Sequence, residues 1–313
     1  MGATPVLADV GPDGNIDPDS IEERISPRTR AIIPVHLGGL PCRMDRIWEI
    51  ARRHNLKVVE DAAHATDARF GGLPPGAAAA NRSSDAVAFS FYATKNMTTG
   101  EGGMVTSNDQ RLAERMRVLC LHGISKDAWN RYTEKGSWYY EVLEAGFKYN
   151  LSDVQSAIGI HQLKKLERFH ALRAAYVSVY NRRLAEIDEL ETPPDCDYGR
   201  HAWHLYELRL NLRRLSIGRD EFIAELRNRG IGASVHFIPI PLHPFFSRWA
   251  HLPQNQCPNA DALYRRMISL PLYPSLAMEQ IQYITDSVKQ IVASHQSREV
   301  VAVGAGHSGQ AVL

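Results

Sequence analysis

The stretch "MDRIWEIARRHNLKVVED", residues 44–61, changes periodicity part-way along. In its first part Met44, Ile47, Trp48 and Ala51 recur at the spacing of a helix with one buried stripe. Its second part, "LKVVED" (56–61), is a short apolar run ending in two carboxylates, the pattern of a strand. Upstream, "AIIPVHL" (31–37) is another apolar run, so the order is strand, helix, strand. Strands alternating with helices predict an α/β domain with a mostly parallel sheet.

Working outward, "TPVLADV" (4–10), "DAVAFSF" (85–91) and "GMVTS" (103–107) read as further strands, and "PDSIEERI" (18–25) as a short helix. "DQRLAERMRVLCLHG" (109–123) is a helix closed by glycine. From Ser152, which forms a capping-box pattern with Gln155, one helical pattern runs to about residue 188. The turn-rich "TPPDCDYGR" (192–200) reads as a linker. After it come a strand in 203–212, a helix in 219–230, a strand in 231–237 and helices around 259–268 and 277–293. These divide the chain into a large α/β domain (1–150), a connecting helix and linker (151–192), a smaller α+β domain (193–296) and a tail (297–313).

The chain has 313 residues with 36 basic against 35 acidic, a formal charge of +1. That balance argues against nucleic acid or an anionic membrane as the main partner. No apolar run approaches the length of a membrane span. Cys42, Cys120, Cys196 and Cys257 are far apart with no CxxC spacing, which predicts reduced thiols in a cytoplasmic protein. "HAWH" (201–204) carries two histidines, but a strand sends them to opposite faces and away from a shared metal. His36, ending its strand, faces either a pocket or the surface, and the sequence does not separate these.

Two strand ends carry chemistry. Asp61 closes "LKVVED", and Lys95 follows "FSFYAT" before the glycine turn "GEGG" (100–103). Alone, Asp61 could cap the next helix and Lys95 could be solvated. Together they match the needs of an aldehyde cofactor with an electron-poor pyridine ring. A lysine must form its Schiff base, and an acid must keep its ring nitrogen protonated. A hydroxyl such as that of Ser90 suits the phosphate.

"VVEDAAHA" (58–65), "FSFYATKNMTTGEGGMV" (89–105) and "KYNLSDVQSAI" (148–158) resemble the DegT-like nucleotide-sugar aminotransferases. These are pyridoxal-phosphate enzymes of fold type I, the aspartate-aminotransferase-like α/β fold. "GFKYNLSD", "HAWHLY" and "RGIGASVHF" favour the branch that makes UDP-4-amino-4-deoxy-arabinose, aminating a keto group at carbon 4 of the sugar. The resemblance implies that Lys95 bears the cofactor and moves the proton, with its pKa lowered by desolvation and positive surroundings. It implies further that Asp61 pairs with the pyridine nitrogen, His64 lies beside the ring and Ser90 binds the phosphate. Asn150 would reach the phosphate of a second subunit, which implies a homodimer with shared sites. His236 would line the sugar–nucleotide pocket. The implied substrates are a nucleotide-linked 4-keto sugar and glutamate as amino donor, in polysaccharide, lipid A or amino-sugar biosynthesis.

Two departures set further expectations. Members of the family carry a segment ahead of "GATPVLADV", with a phosphate-binding turn and an aromatic that stacks on the ring. Its absence predicts a shortened chain, with a catalytically impaired remnant or regulatory subunit as the rival reading. At the other end, Gly304, Gly306 and Gly309 have the form of a dinucleotide fingerprint, without the helix and acid that would complete it. The tail is therefore expected to be the start of an unfinished domain, binding no nicotinamide.

Overall fold

A computed structural model describes residues 2–77, 83–125, 139–249 and 256–297. The expectations for 298–313 lie outside the described residues. In chain order the elements are α1 (Pro18–Arg24), β1 (Ala31–Ile32), α2 (Met44–Arg53), β2 (Lys57–Asp61), β3 (Arg69–Phe70), β4 (Ala86–Ser90), β5 (Gly103–Thr106) and α3 (Gln110–Cys120). There follow α4 (Asp153–Leu163), α5 (Leu166–Leu184), β6 (Leu190–Glu191), β7 (Gly199–Arg200) and β8 (Tyr206–Leu210). The last are α6 (Arg219–Asn228), α7 (Pro244–Trp249), α8 (Pro258–Arg266), β9 (Met267–Leu270) and α9 (Met278–Ser294).

The stripe expected on α2 is its buried face. Met44, Ile47, Trp48 and Ala51 pack with Ile21 of α1, Ile32 of β1 and Val58 of β2. Burying a side chain such as Ile47, fully enclosed here, contributes about 1.5–3 kcal/mol. α2 thereby crosses from β1 to β2, which pair in parallel with Ala31 opposite Lys57. β2 pairs in parallel with β4, Asp61 opposite Ala88, and β4 pairs antiparallel with β5, Ser90 opposite Gly103. The sheet order is β1-β2-β4-β5. Because β2 and β4 run the same way in close register, their carboxyl ends open on one edge. Asp61 and Ser90 both end there, and the turn bearing Lys95 follows.

A second core lies under the antiparallel sheet β6-β8-β9. Tyr206, Leu208 and Leu210 of β8 join Tyr176, Tyr180 and Leu184 of α5, Phe222 and Leu226 of α6, and Ile281, Val288 and Ile291 of α9. The opposite face of β8 is buried too: Arg209 donates to Pro12 O at 2.6 Å and to Glu191 at 2.9 Å.

Several expectations are corrected. Residues 4–10 form no strand; only a single bridge joins Val10 to Ile16. Residues 231–237 likewise make just one bridge, Ser234 to Ser269, while β9 is a strand where the end of a helix was expected. Both apolar runs lack a long partner, and a strand without a ladder is not formed. The long helix from Ser152 is two helices. At Lys165 the backbone N–H bonds back to Gln162 O, a tighter turn that separates α4 from α5. Only α5 has a core to lie on: it buries Tyr176, Val177, Tyr180 and Leu184, whereas α4 buries nothing. Residues 192–200 are more than a linker, since β7 pairs antiparallel with β3 across the Arg69–Arg200 register.

Candidate active site

Lys95 sits in a compact turn beyond β4. Its backbone N–H donates to Tyr92 O at 3.0 Å, Thr99 N–H donates to Phe91 O at 2.9 Å, and Phe91 N–H donates to Gly102 O at 2.8 Å. Gly100 and Gly102 take positive φ, 81° and 152°, which lets the chain reverse into β5. Among the described residues, the Lys95 amine has no ion pair or hydrogen-bond partner. Burial pushes its pKa down, and the negative charge of Asp61 works in the opposite direction. The lysine therefore releases its proton more readily than an ordinary one, as expected, although here burial alone supplies the shift.

Asp61 accepts a hydrogen bond on Oδ1 from Ala63 N–H at 2.9 Å, a local turn that fixes its carboxylate at the strand end. No partner for Oδ2 is found among the described residues. A carboxylate with one oxygen spare, an amine with no partner, and the hydroxyl of Ser90 at one sheet edge fit the donor set an aldehyde–pyridine–phosphate group needs. Ser90 Oγ accepts from Tyr92 N–H at 3.3 Å.

His64 completes this edge. Gly38 N–H donates to its Nδ1 at 3.3 Å, its ring stacks on Phe237 with centroids 5.7 Å apart, and the ring of His204 lies 4.3 Å away. Burial, with the nearby charge of Lys95, pushes its pKa down to about 3. His204 is lowered further, to about 2, by burial, then by His64 and Lys95. Both imidazoles are therefore neutral, and His64, bonded at Nδ1 by a donor, carries its proton on Nε2. His236 reaches the same cluster: its Nδ1 lies 2.7 Å from Ser269 Oγ, and burial with Lys95 lowers its pKa.

The local backbone explains the close approach. Gly39 has φ +96°, and a Cβ there would stand 2.9 Å from His64 O and 3.0 Å from Ala202 Cβ. Only glycine lets the 37–39 turn pass between His64 and residues 202–204. Those residues form no strand, so the argument that "HAWH" sends its histidines to opposite faces does not hold. Instead both are buried: His201 stacks on Trp203 with centroids 3.7 Å apart, and His204 turns to His64. Among the described residues no cluster of histidine, cysteine and carboxylate side chains forms a metal site. His36 faces the interior, where its Nε2 lies 2.9 Å from Glu60.

Thus Lys95, Asp61, Ser90, His64 and His236 gather at one edge. Among the described residues, Asn150 makes no hydrogen bond to any of them. Its Oδ1 accepts from Lys148, just ahead of α4, whose Ser152–Gln155 capping box forms as read. The sequence reading missed Asn96, Phe237 and the partnership of His204 with His64. Asn96 directly follows Lys95, yet nothing in its neighbours distinguishes a buried amide from a turn residue.

The chain as a whole resembles known proteins. Residues 1–289 match the DegT/DnrJ/EryC1/StrS aminotransferase family. The chain belongs to that family, and the activity of its class is amino-group transfer. It is 46% identical over 293 residues to the spore coat polysaccharide biosynthesis protein SpsC of Bacillus subtilis, spanning 93% of this chain and 74% of that one. Its fold matches PseC of Helicobacter pylori, an aminotransferase involved in the biosynthesis of pseudoaminic acid, with TM-score 0.85 and 29% identity over 94% of this chain and 75% of that one. It matches Spr1654 of Streptococcus pneumoniae in its PMP form equally well, with TM-score 0.85 and 29% identity over 94% and 77% of the two chains. The PLP form of Spr1654 gives 0.83 at 28% identity, over 94% and 76%. The α/β fold is that of the fold type I sugar aminotransferases.

Proposed function

We propose that the chain transfers an amino group to the keto carbon, at position 4, of a nucleotide-linked sugar, with glutamate as donor and pyridoxal phosphate as cofactor. The observation that carries this reading is the pairing at one sheet edge of Lys95, whose amine has no hydrogen-bond or ion-pair partner among the described residues, with Asp61, whose Oδ2 is spare, in a member of this family. When bound, the cofactor supplies an electron sink for the negative charge that develops at the reacting carbon.

Lys95 holds the cofactor and moves a proton at that carbon. Its lowered pKa leaves more free amine near neutrality. Asp61 keeps the ring nitrogen protonated through Oδ2, while Oδ1 stays on Ala63 N–H. Ser90 offers its hydroxyl to the phosphate. His64, neutral and held from behind by Gly38 N–H, lies beside the ring and adds no competing cation. His236 lines the sugar side of the same pocket.

The working unit in this reading is a homodimer, with Asn150 reaching the phosphate of the second subunit. Exposed apolar side chains beside it support this: Tyr149 is 74% exposed, and Val154 and Leu163 of α4 are 72% and 59% exposed. Large apolar side chains left exposed in this number are the material of an interaction face. Location in the cytoplasm is part of the proposal, supported by four unpaired cysteines. Among the described residues no helix is long and apolar enough to cross a membrane.

The test is borohydride reduction of the cofactor-loaded protein followed by peptide mapping, together with nitrogen transfer from ¹⁵N-glutamate to nucleotide-linked 4-keto sugars. A tag on Lys95 and label in the sugar are expected. A tag on another lysine, or no transfer to any such sugar, overturns the reading.

A further inference from the structure

Asn96 lies beside Lys95 in sequence but points the other way, into the protein, where it is 6% exposed. Its Nδ2 donates to Ala202 O at 2.7 Å, and its Oδ1 lies 3.0 Å from His204 Nδ1. The two bonds determine each other's sense. A carbonyl can only accept, so the amide nitrogen faces Ala202, and the amide oxygen is left to accept from His204. The proton of His204 therefore sits on Nδ1.

The segment that Asn96 grips is anchored from every other side. Arg173, buried on α5, donates from Nη1 to Trp203 O at 3.1 Å, His204 O at 3.3 Å and Leu272 O at 2.7 Å. Ala202 N–H donates to Gly39 O at 2.8 Å and His204 N–H to Gly38 O at 2.9 Å. Gly38 N–H in turn holds His64. Arg173 and the 37–39 turn thus make residues 202–204 a fixed post, and Asn96 is the side chain that ties the lysine turn to it.

We propose that Asn96 is a positioning residue: its amide locks the turn carrying Lys95 onto Ala202–His204 and, through His204, keeps the imidazole of His64 in place beside the lysine. The inference rests on the reading of Lys95 and His64 as cofactor-site residues. A buried amide that bonds a carbonyl and an imidazole at once is costly to remove, because both partners lose their hydrogen bonds in a dry environment. The charged and titratable groups around Lys95 are Asp61, His64, His204 and His236. With the turn released, water reaches the amine and the burial that lowers its proton affinity weakens.

Two measurements on the cofactor-free protein need no substrate, so they separate failure of this inference from failure of the proposed function. In ¹⁵N NMR of the unaltered protein, His204 is expected as the Nδ1–H tautomer and His64 as Nε2–H. His204 protonated on Nε2 overturns the proposal. In competitive amine labelling read by mass spectrometry, Asn96→Ala should shift the Lys95 profile to higher pH, cutting its labelling at pH 8 at least threefold. His204→Phe keeps a ring against His64 but cannot bond Asn96, and should produce a smaller shift in the same direction. In the loaded enzyme, Asn96→Ala should lower kcat about tenfold with KM for the amino donor within twofold. Folded variants with an unchanged Lys95 profile would show that Asn96 only holds structure, and would overturn the proposal. Should Asn96→Ala not fold, the His204 tautomer and the His204→Phe profile decide.

Discussion

Acid should destabilise the cofactor-free fold well before its ordinary carboxylates are protonated. His64, His201 and His204 are all buried, and burial holds their pKa values at about 3, about 3 and about 2 against an ordinary 6.5. In the unfolded chain each takes up a proton as pH falls through 6.5; in the fold none does until much lower. The unfolded state therefore binds more protons over that window, and stability falls with pH. Each histidine removes about 2 kcal/mol between pH 7 and pH 5. That figure is insensitive to the folded value, since any value below 4 leaves the ring neutral at pH 5. Glu207 acts in the opposite sense. Burial raises it from 4.5 to about 7, so the fold binds its proton first and gains about 2 kcal/mol over the same range. The net expectation is a loss of about 4 kcal/mol, a large part of the stability of an ordinary domain. His170 and His236, also lowered, add to the loss, while Asp13 and Asp67, also raised, subtract from it. Urea unfolding at pH 7 and pH 5 measures it. Glu207→Gln should steepen the difference by about 2 kcal/mol, and His201→Gln should shrink it by about as much. A protein equally stable at both pH values, or more stable at pH 5, would refute the neutral burial of these rings.

Three further outcomes are expected. Lys95→Ala should abolish transfer while shifting the urea midpoint little, since among the described residues the amine has no partner to lose; a strongly destabilised variant would make it a structural residue. Asp61→Asn should lower kcat by roughly 100-fold or more with the far-UV spectrum unchanged, because an amide cannot hold the ring proton. Turnover within twofold of the original would reduce Asp61 to a turn residue. Gly39→Ala should cost about 1–3 kcal/mol and weaken cofactor binding, because its Cβ strikes His64 O and Ala202 at a positive φ; unchanged unfolding would disprove the tight passage.

The parts of the fold governed by local pattern were legible in the sequence. The α2 stripe, the carboxylates ending β2 and the Ser152–Gln155 box each depend on residues within a few positions of one another, and each appears as read. What failed depends on partners far along the chain. "TPVLADV" has strand composition, but no neighbour offers it a ladder. "HAWH" looked like the start of a strand, yet Arg173 and the glycines of the 37–39 turn hold it as an irregular post. Within β8, Glu207 and Arg209 alternate with apolar residues as if facing water, whereas the 12–14 and 37–39 turns cover them.

The same distinction separates the residues of the candidate site. Lys95 and Asp61 were singled out because one follows and the other ends an apolar strand run, a position that sequence encodes. His64, His204 and His236 come from three segments and meet only after folding; no spacing announces them, and the family resemblance alone named His64 and His236. Their meeting has an electrostatic consequence for the site. Away from the edge, Arg200 is shared between Asp67 at 2.8 Å and Glu167 at 3.1 Å, and Arg209 rests on Glu191 at 2.9 Å. At the sheet edge three imidazoles are held below their usual pKa by burial, beside the amine of Lys95 and the carboxylate of Asp61. Burying neutral rings around Lys95 costs stability in acid, and in the proposed function that cost falls beside the group that moves the proton.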